Sequence, residues 1–244
     1  MHYMMNDEEK TNFPNPNVKK PEEILKIMKA EAMGDEVFHH MLDYVKVGMT
    51  EIQVADEIER TFKKLGSGEL GFPTILVSGV NTVEPHGVPS DKVIEEGDFV
   101  TMDMGGTVDG YCGDMTRTFA MGYVTEEMRK VYDVVLQSQL AGIAALGAGV
   151  RCFDVDKASR DVIEAAGYGE YYVHGTGHGV GTLVHEPPTL NSKSEEKLAA
   201  DMAVTVEPGI YIPGKFGVRI EDLLIVTDFG IISAVKSEKE LIIL

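Results

Sequence analysis

The chain has 244 residues, 43% of them apolar, and a formal net charge of −18; it is long enough to bury a substantial core, and one domain is the default reading. Such acidity excludes nucleic acid and anionic membrane surfaces as expected partners, because both attract Lys and Arg. No segment offers the roughly 20 continuous apolar residues of a membrane span, and residues 1–20 lack the apolar centre of a signal peptide, so a cytoplasmic protein is expected. Two cysteines, Cys112 and Cys152, are too few for a disulfide framework and fit a reducing compartment.

Residues 1–20 are polar, carry Pro14 and Pro16, and read as a flexible arm. Pro21 suits the first turn of a helix. Ile24, Ile27, Met28, Val37, Phe38, Met41, Leu42 and Val45 then recur at helical spacing, which predicts a long amphipathic helix ending near Gly48. A second helix is expected from about Thr50 to Leu65. Thr125 can cap a third, with Met128, Val131, Tyr132 and Val135 on one face, and residues 153–166 form a fourth. Short apolar or alternating segments bounded by Gly or Pro predict strands at 73–78, 98–104, 116–121, 202–206, 217–227 and 231–235.

Laid over itself at an offset of 101 residues, the chain repeats. Gly48, Val54, Gly66, Gly68 and Glu69 fall on Gly149, Val155, Gly167, Gly169 and Glu170. With small insertions, TMDMGG (101–106) then falls on TVEPGI (205–210), which pairs Asp103 with Glu207, and CGDMT falls on RIEDL, which pairs Asp114 with Glu221. Acids meeting acids in otherwise apolar strands imply two similar α+β halves facing each other, with carboxylates at the join.

Each of these four acids sits in a strand-like apolar setting, and a buried carboxylate is costly unless paired or bound to metal. One alone would be read as a strand-end acid pointing to solvent; four together would not. HGTGHGVGTLVHE (174–186) adds His174, His178 and His185. Its glycines disfavour a helix, so these are not a helical zinc signature; in an extended chain His174, Thr176 and His178 share a face. Four carboxylates and one imidazole match the charge of two divalent cations, and an oxygen-rich set suits Mn²⁺, Fe²⁺ or Co²⁺ better than a tetrahedral structural Zn²⁺ site. Two ions that lower the pKa of water and polarise a carbonyl point to amide hydrolysis.

In order and context, Asp103, Asp114, His178, Glu207 and Glu221 resemble the five metal ligands of the pita-bread metallopeptidases over residues 20 to 244. The resemblance implies an α+β pita-bread fold over residues 21–244 and two divalent ions per chain, Mn first and Co, Fe or Zn as alternatives. Asp103 would hold one ion, His178 and Glu207 the other, with Asp114 and Glu221 bridging and Glu207 also serving as general base. HGTGHGVG and GVRIED look like prolidase and aminopeptidase P rather than methionine aminopeptidase. By that resemblance His86 stabilises the tetrahedral intermediate, His185 contacts the substrate backbone and His174 helps define the proline-side pocket. Arg219, two residues before Glu221, shares its strand face and is read as an anchor for that bridging acid or as a structural salt bridge. Cys112 is read as packing.

The expected activity is therefore removal of the N-terminal residue from Xaa-Pro peptides, with methionine aminopeptidase as the runner-up. Third comes a hydrolase of non-peptide C–N bonds, and the non-enzymatic alternative is a peptide-binding scaffold that keeps its metals. Peptide is the expected partner, for a monomer or a homodimer. Prolidases and aminopeptidases P carry a separate N-terminal domain bordering the site, where this sequence has a short arm; an open cleft that accepts tripeptides and longer chains is expected.

Overall fold

A computed structural model of the chain describes residue 15 and residues 17–244. Helix α1 (Pro21–Tyr44) starts with Pro21 at its first position and ends four residues before Gly48. It buries Ile27, Ala30, Val37, Phe38 and Met41. In α2 (Glu51–Lys64), Thr50 and Gln53 form a reciprocal capping box, each side chain accepting from the other's backbone N–H. Thr125 Oγ accepts from Met128 N at the start of α3 (Glu126–Ala145), as its position predicts. α4 (Cys152–Ala165) follows.

The first half places β1 (Ile75–Ser78), β2 (Phe99–Met104) and β5 (Met115–Ala120) in an antiparallel sheet of order β1-β2-β5. A two-residue-per-strand hairpin, β3 (Thr107–Val108) and β4 (Tyr111–Cys112), sits between β2 and β5. The second half contributes β6 (Gly177–Gly179), β7 (Glu186–Leu190), β8 (Ala203–Val206), β11 (Asp222–Thr227) and β12 (Gly230–Ser233), in the order β12-β11-β8-β6-β7. β9 (Gly209–Ile212) and β10 (Phe216–Arg219) pair as a separate ribbon. Most core side chains of α1, α2 and the first sheet form one cluster, while Phe99 and Ala120 of that sheet pack with α3 and the β9–β10 ribbon, and Ile27 of α1 packs with Val180, Leu223 and Ile225 of the second half. The result is the α+β architecture expected, with helices outside the sheets.

The internal repeat holds down to single hydrogen bonds. Gly48 N donates to Ile94 O and Gly149 N to Leu198 O, at 2.9 and 2.7 Å; Ile94 N returns to Met49 O and Leu198 N to Val150 O, both at 2.8 Å. Gly66 and Gly167, just past α2 and α4, have φ of +88° and +86°, the left-handed turn that glycine adopts without a Cβ clash. β1 and β6 occupy matching positions at the same offset, each antiparallel to the strand that leads to an acid.

Two expectations change. The strand predicted over 217–227 is two strands in different sheets, parted at Ile220 and Glu221. The break lets Glu221 N donate to Thr116 O and the Arg117 guanidinium donate to Glu221 O, which ties the acid's backbone to β5. Of the predicted arm, residues 17–20 lie against the body: Val18 bridges Met202, Lys19 N donates to Asp201 O, and the Lys19 ammonium pairs with Glu186 at 2.6 Å. Residues 1–14 and 16 fall outside the described residues. Among the described residues, no helix is long and apolar enough to cross a membrane.

Candidate active site

The four acids stand where strands end or break. Asp103 is the fifth residue of β2, and Asp114 immediately precedes β5. Glu207 immediately follows β8, and Glu221 lies in the gap between β10 and β11. Asp103, Asp114 and Glu221 are buried and Glu207 is partly so, which removes the reading of solvent-facing strand-end acids. All four line one cavity of about 800 Å³, together with His86, His174, His178, His185 and Arg219. Every site residue expected from the sequence is thus brought to the same cavity.

His178 links the carboxylates. Its Nδ1 faces the Gly179 carbonyl at 3.1 Å, which requires that nitrogen to donate and leaves Nε2 for Glu207 Oε1 at 3.2 Å and Asp114 Oδ2 at 3.6 Å. Donor atoms of Asp114, His178 and Glu221 lie within 4.8 Å of one another. Asp103 Oδ1 is buried with no hydrogen-bond partner among the described residues. Burial and then the neighbouring acids, Glu221 foremost, push the Asp114 carboxyl well above its ordinary range; burial and then Glu207 do the same to Glu221. Burial works against ionised Glu207 as well, but the hydrogen bond and charge of His178 outweigh it and hold Glu207 low; in return His178 is raised to about 9 against its own burial. An orphaned buried oxygen and carboxylates crowded against their own charge fit a centre made to hold divalent cations.

The histidines beyond this cluster differ in setting. His174 Nδ1 donates to its neighbour's carbonyl, Gly175 O, at 2.8 Å, and Nε2 accepts from the Tyr211 hydroxyl at 2.8 Å; burial keeps the ring below its ordinary pKa, hence neutral. His185 packs edge-on against His178, centroids 4.2 Å apart. His86 lines the same cavity from the loop after the short 3-10 turn Gly79–Val83 that follows β1.

Arg219 corrects the sequence reading. Its guanidinium pairs with Asp103 Oδ2 at 2.6 Å rather than with Glu221, and donates to Pro85 O and the Tyr211 hydroxyl, both at 3.0 Å. It reaches Glu221 through Thr116, whose hydroxyl accepts from Arg219 Nε at 3.2 Å and donates to Glu221 Oε2 at 2.6 Å. Thr176 is also displaced from expectation: it faces α4 and is fully buried, instead of sharing the cavity with His174 and His178. Cys112 is buried against Ile27, Val180 and Leu223, consistent with a packing role.

Three residues escaped the sequence reading. Tyr211 sits in an apolar strand and Thr116 in a strand where it alternates with Thr118, settings in which a hydroxyl reads as ordinary packing. Glu31, 1% exposed, accepts from Asp114 N at 3.1 Å; its signal was available, an acid in the same helical stripe as Ile27 and Phe38.

The profile of metallopeptidase family M24 matches residues 26–228. The chain belongs to this family. Within M24 it is 44% identical over 227 residues to YqhT, an uncharacterised peptidase of Bacillus subtilis (strain 168), covering 93% of this chain and 64% of that protein. It superposes on the Xaa-Pro dipeptidase from Bacillus anthracis with a TM-score of 0.91 at 46% identity, and on the X-Pro aminopeptidase from Thermotoga maritima MSB8 with 0.91 at 36%. Each covers 93% of this chain and 64% of that structure. The prolidase from Pyrococcus furiosus gives a TM-score of 0.89 at 38% identity, over 91% of this chain and 66% of that one. This M24 chain therefore spans about 64% of the length of the relatives it matches. The pita-bread fold and the resemblance to prolidases stand on these matches.

Proposed function

We propose that the chain is a dinuclear metal-dependent aminopeptidase that releases the N-terminal residue of Xaa-Pro peptides. The observation that carries this reading is the convergence of Asp103, Asp114, His178, Glu207 and Glu221 on one cavity, with an unpartnered buried oxygen on Asp103. Asp103 with the bridging Asp114 and Glu221 would hold one ion, and His178 and Glu207 with the same two bridges the other. Bound divalent ions would supply a lowered pKa for water and polarisation of the scissile carbonyl. Mn²⁺ is the first candidate on donor chemistry.

The chain's own residues do the rest. Glu207 stays ionised beside His178 and is the general base that takes a proton from the attacking water. His86, in the same cavity, donates to the oxygen on which charge develops. His185 binds the substrate backbone. His174, neutral and fixed by Gly175 and Tyr211, shapes the pocket for the proline ring. Arg219 orients Asp103 directly and Glu221 through Thr116. The names of the Bacillus anthracis and Thermotoga maritima structures support Xaa-Pro over Met substrates.

The test is release of free amino acid from Xaa-Pro and Met-Ala peptides of two to six residues, with Mn²⁺, Co²⁺ or Zn²⁺ added to metal-free protein. Two ions per chain, activity on Xaa-Pro peptides, and loss of turnover in Asp114→Ala are expected, because that carboxylate serves both ions. Activity persisting in chelated protein or in Asp114→Ala defeats the two-metal reading, and preference for Met-Ala replaces the substrate with that of methionine aminopeptidase.

A further inference from the structure

The segment that carries His174 and His178 has little regular structure of its own. It runs from Tyr172 to Gly179 through three glycines, and β6 covers just its last three residues. Free glycine-rich backbone is costly to fix, so something outside the segment must hold it.

That support comes from one face of α4. Asp156 and Arg160, one turn apart, form a two-pronged ion pair at 3.0 and 3.1 Å. Asp156 is 1% exposed, and its Oδ1 also accepts from Thr176 N at 3.1 Å and from the Thr176 hydroxyl at 2.9 Å. Arg160 donates to His174 O at 2.9 Å and Tyr172 O at 3.2 Å, and lies 4.2 Å from the centre of the Tyr172 ring. The Tyr172 hydroxyl shares a 2.7 Å hydrogen bond with that of Thr176. Thr176 O in turn accepts from Glu207 N at 2.7 Å. A continuous path of buried hydrogen bonds therefore runs from α4 through residues 172–176 to the start of Glu207.

The internal repeat supplies a comparison within the molecule. At the offset of 101 residues, Asp156 and Arg160 fall on Ala55 and Glu59 of α2, and His174 and His178 fall on Pro73 and Val77. The half without these histidines has no ion pair at these positions, since the Glu57–Arg60 pair of α2 lies elsewhere on the helix and joins His40 of α1, and the half with them has it. A pair needed merely to build a helix on a sheet would be expected in both.

We propose that Asp156 and Arg160 are positioning residues of the active site, a strut from α4 that fixes residues 172–178 and with them the mutual placement of His174, His178 and Glu207. The strut rests on the proposed metal site for its functional meaning, while its mechanical role is separable from it. Without the strut the backbone amides of His178 and Glu207 open locally, and the ion that these two residues would share is held more weakly.

Amide hydrogen exchange on the metal-free protein, followed by Mn²⁺ titration, tests both parts in Asp156→Ala, Arg160→Ala and Arg160→Lys. Lys157→Ala is the control, since the exposed Lys157–Asp161 pair lies on the same helix at 2.6 Å and does not reach the segment. Exchange at His178 and Glu207 is expected to accelerate about tenfold or more in the Asp156 and Arg160 variants, with α2 and β2 amides and the control unchanged. Mn²⁺ affinity is expected to fall roughly tenfold or more in the same variants. Exchange at both amides within about twofold of wild type, or uniform acceleration across the chain, overturns the strut. Should the alanine variants fail to fold, Arg160→Lys decides by the same criterion, because lysine keeps the charge but cannot serve the carboxylate and two carbonyls together. Wild-type protein that binds no Mn²⁺ defeats the metal reading alone, and the exchange result still decides the strut.

Discussion

At the scale of single residues, His174 separates binding from metal retention. Its ring is held by Gly175 and Tyr211, with no hydrogen bond or ion pair to the five candidate ligands, and burial keeps it neutral. His174→Ala is therefore expected to lower kcat/KM for Xaa-Pro peptides by roughly tenfold to a hundredfold, the scale of losing one positioned hydrogen-bonding group, with metal content unchanged. Steady-state kinetics beside metal analysis check this, and wild-type kinetics in the variant remove His174 from the site. The acids and histidines were legible in the sequence because charge is conspicuous among apolar neighbours. Partners joined by hydroxyls were not. Thr116 and Tyr211 look like any strand residue until the fold places one between Arg219 and Glu221 and the other between Arg219 and His174. Period-two spacing points Arg219 at Glu221, but the break after β10 sends its direct ion pair to Asp103.

At the scale of elements, helices followed from apolar spacing and caps; α2 and α4 lie within a residue or so of expectation. The strands that build the site were harder. β6 consists of Gly-His-Gly and offers no hydrophobic alternation, because its backbone passes too close to β8 for side chains: a Cβ on Gly177 would lie 2.0 Å from Thr205 O. β7 begins Glu-Pro-Pro, and prolines argue against a strand. The same closeness makes Gly177→Ala informative. Forcing β6 off β8 is expected to destabilise the protein by about 1–3 kcal/mol, the usual range for overpacking, and to withdraw His178 from Glu207. Urea unfolding and Mn²⁺ titration measure the two effects, and wild-type values in both would show that the contact relaxes without moving the histidine.

At the scale of the whole molecule, the two halves meet at buried carboxylates, so the join itself is a source of instability that bound cations would relieve. Burial raises Asp114 and Glu221 well above their ordinary values, with Glu221 next for Asp114 and Glu207 next for Glu221. Acids raised in the folded state bind more protons folded than unfolded, so their contribution to stability is lost as pH rises above about 4, the unfolded value. His178, raised to about 9 by Glu207 despite burial, acts in the same direction: its contribution is present below about 6.5 and is lost as pH climbs through 9. His174 and His185, lowered chiefly by burial, oppose this only at and below the ordinary histidine range. Glu207 and Asp222, both lowered against their own burial, by His178 and Arg117 respectively, act only below about 4.5. Between pH 7 and 9, metal-free protein is therefore expected to lose stability as pH rises. Divalent ions compete with protons for the same donors, so their stabilisation grows over that interval. The expected outcome is a Tm gap between metal-loaded and metal-free protein that widens from pH 7 to 9, measured by thermal unfolding with Mn²⁺ or with chelator. A gap that is constant or narrows would mean that protons and ions do not share these ligands, and the carboxylates at the join would then need another source of compensation.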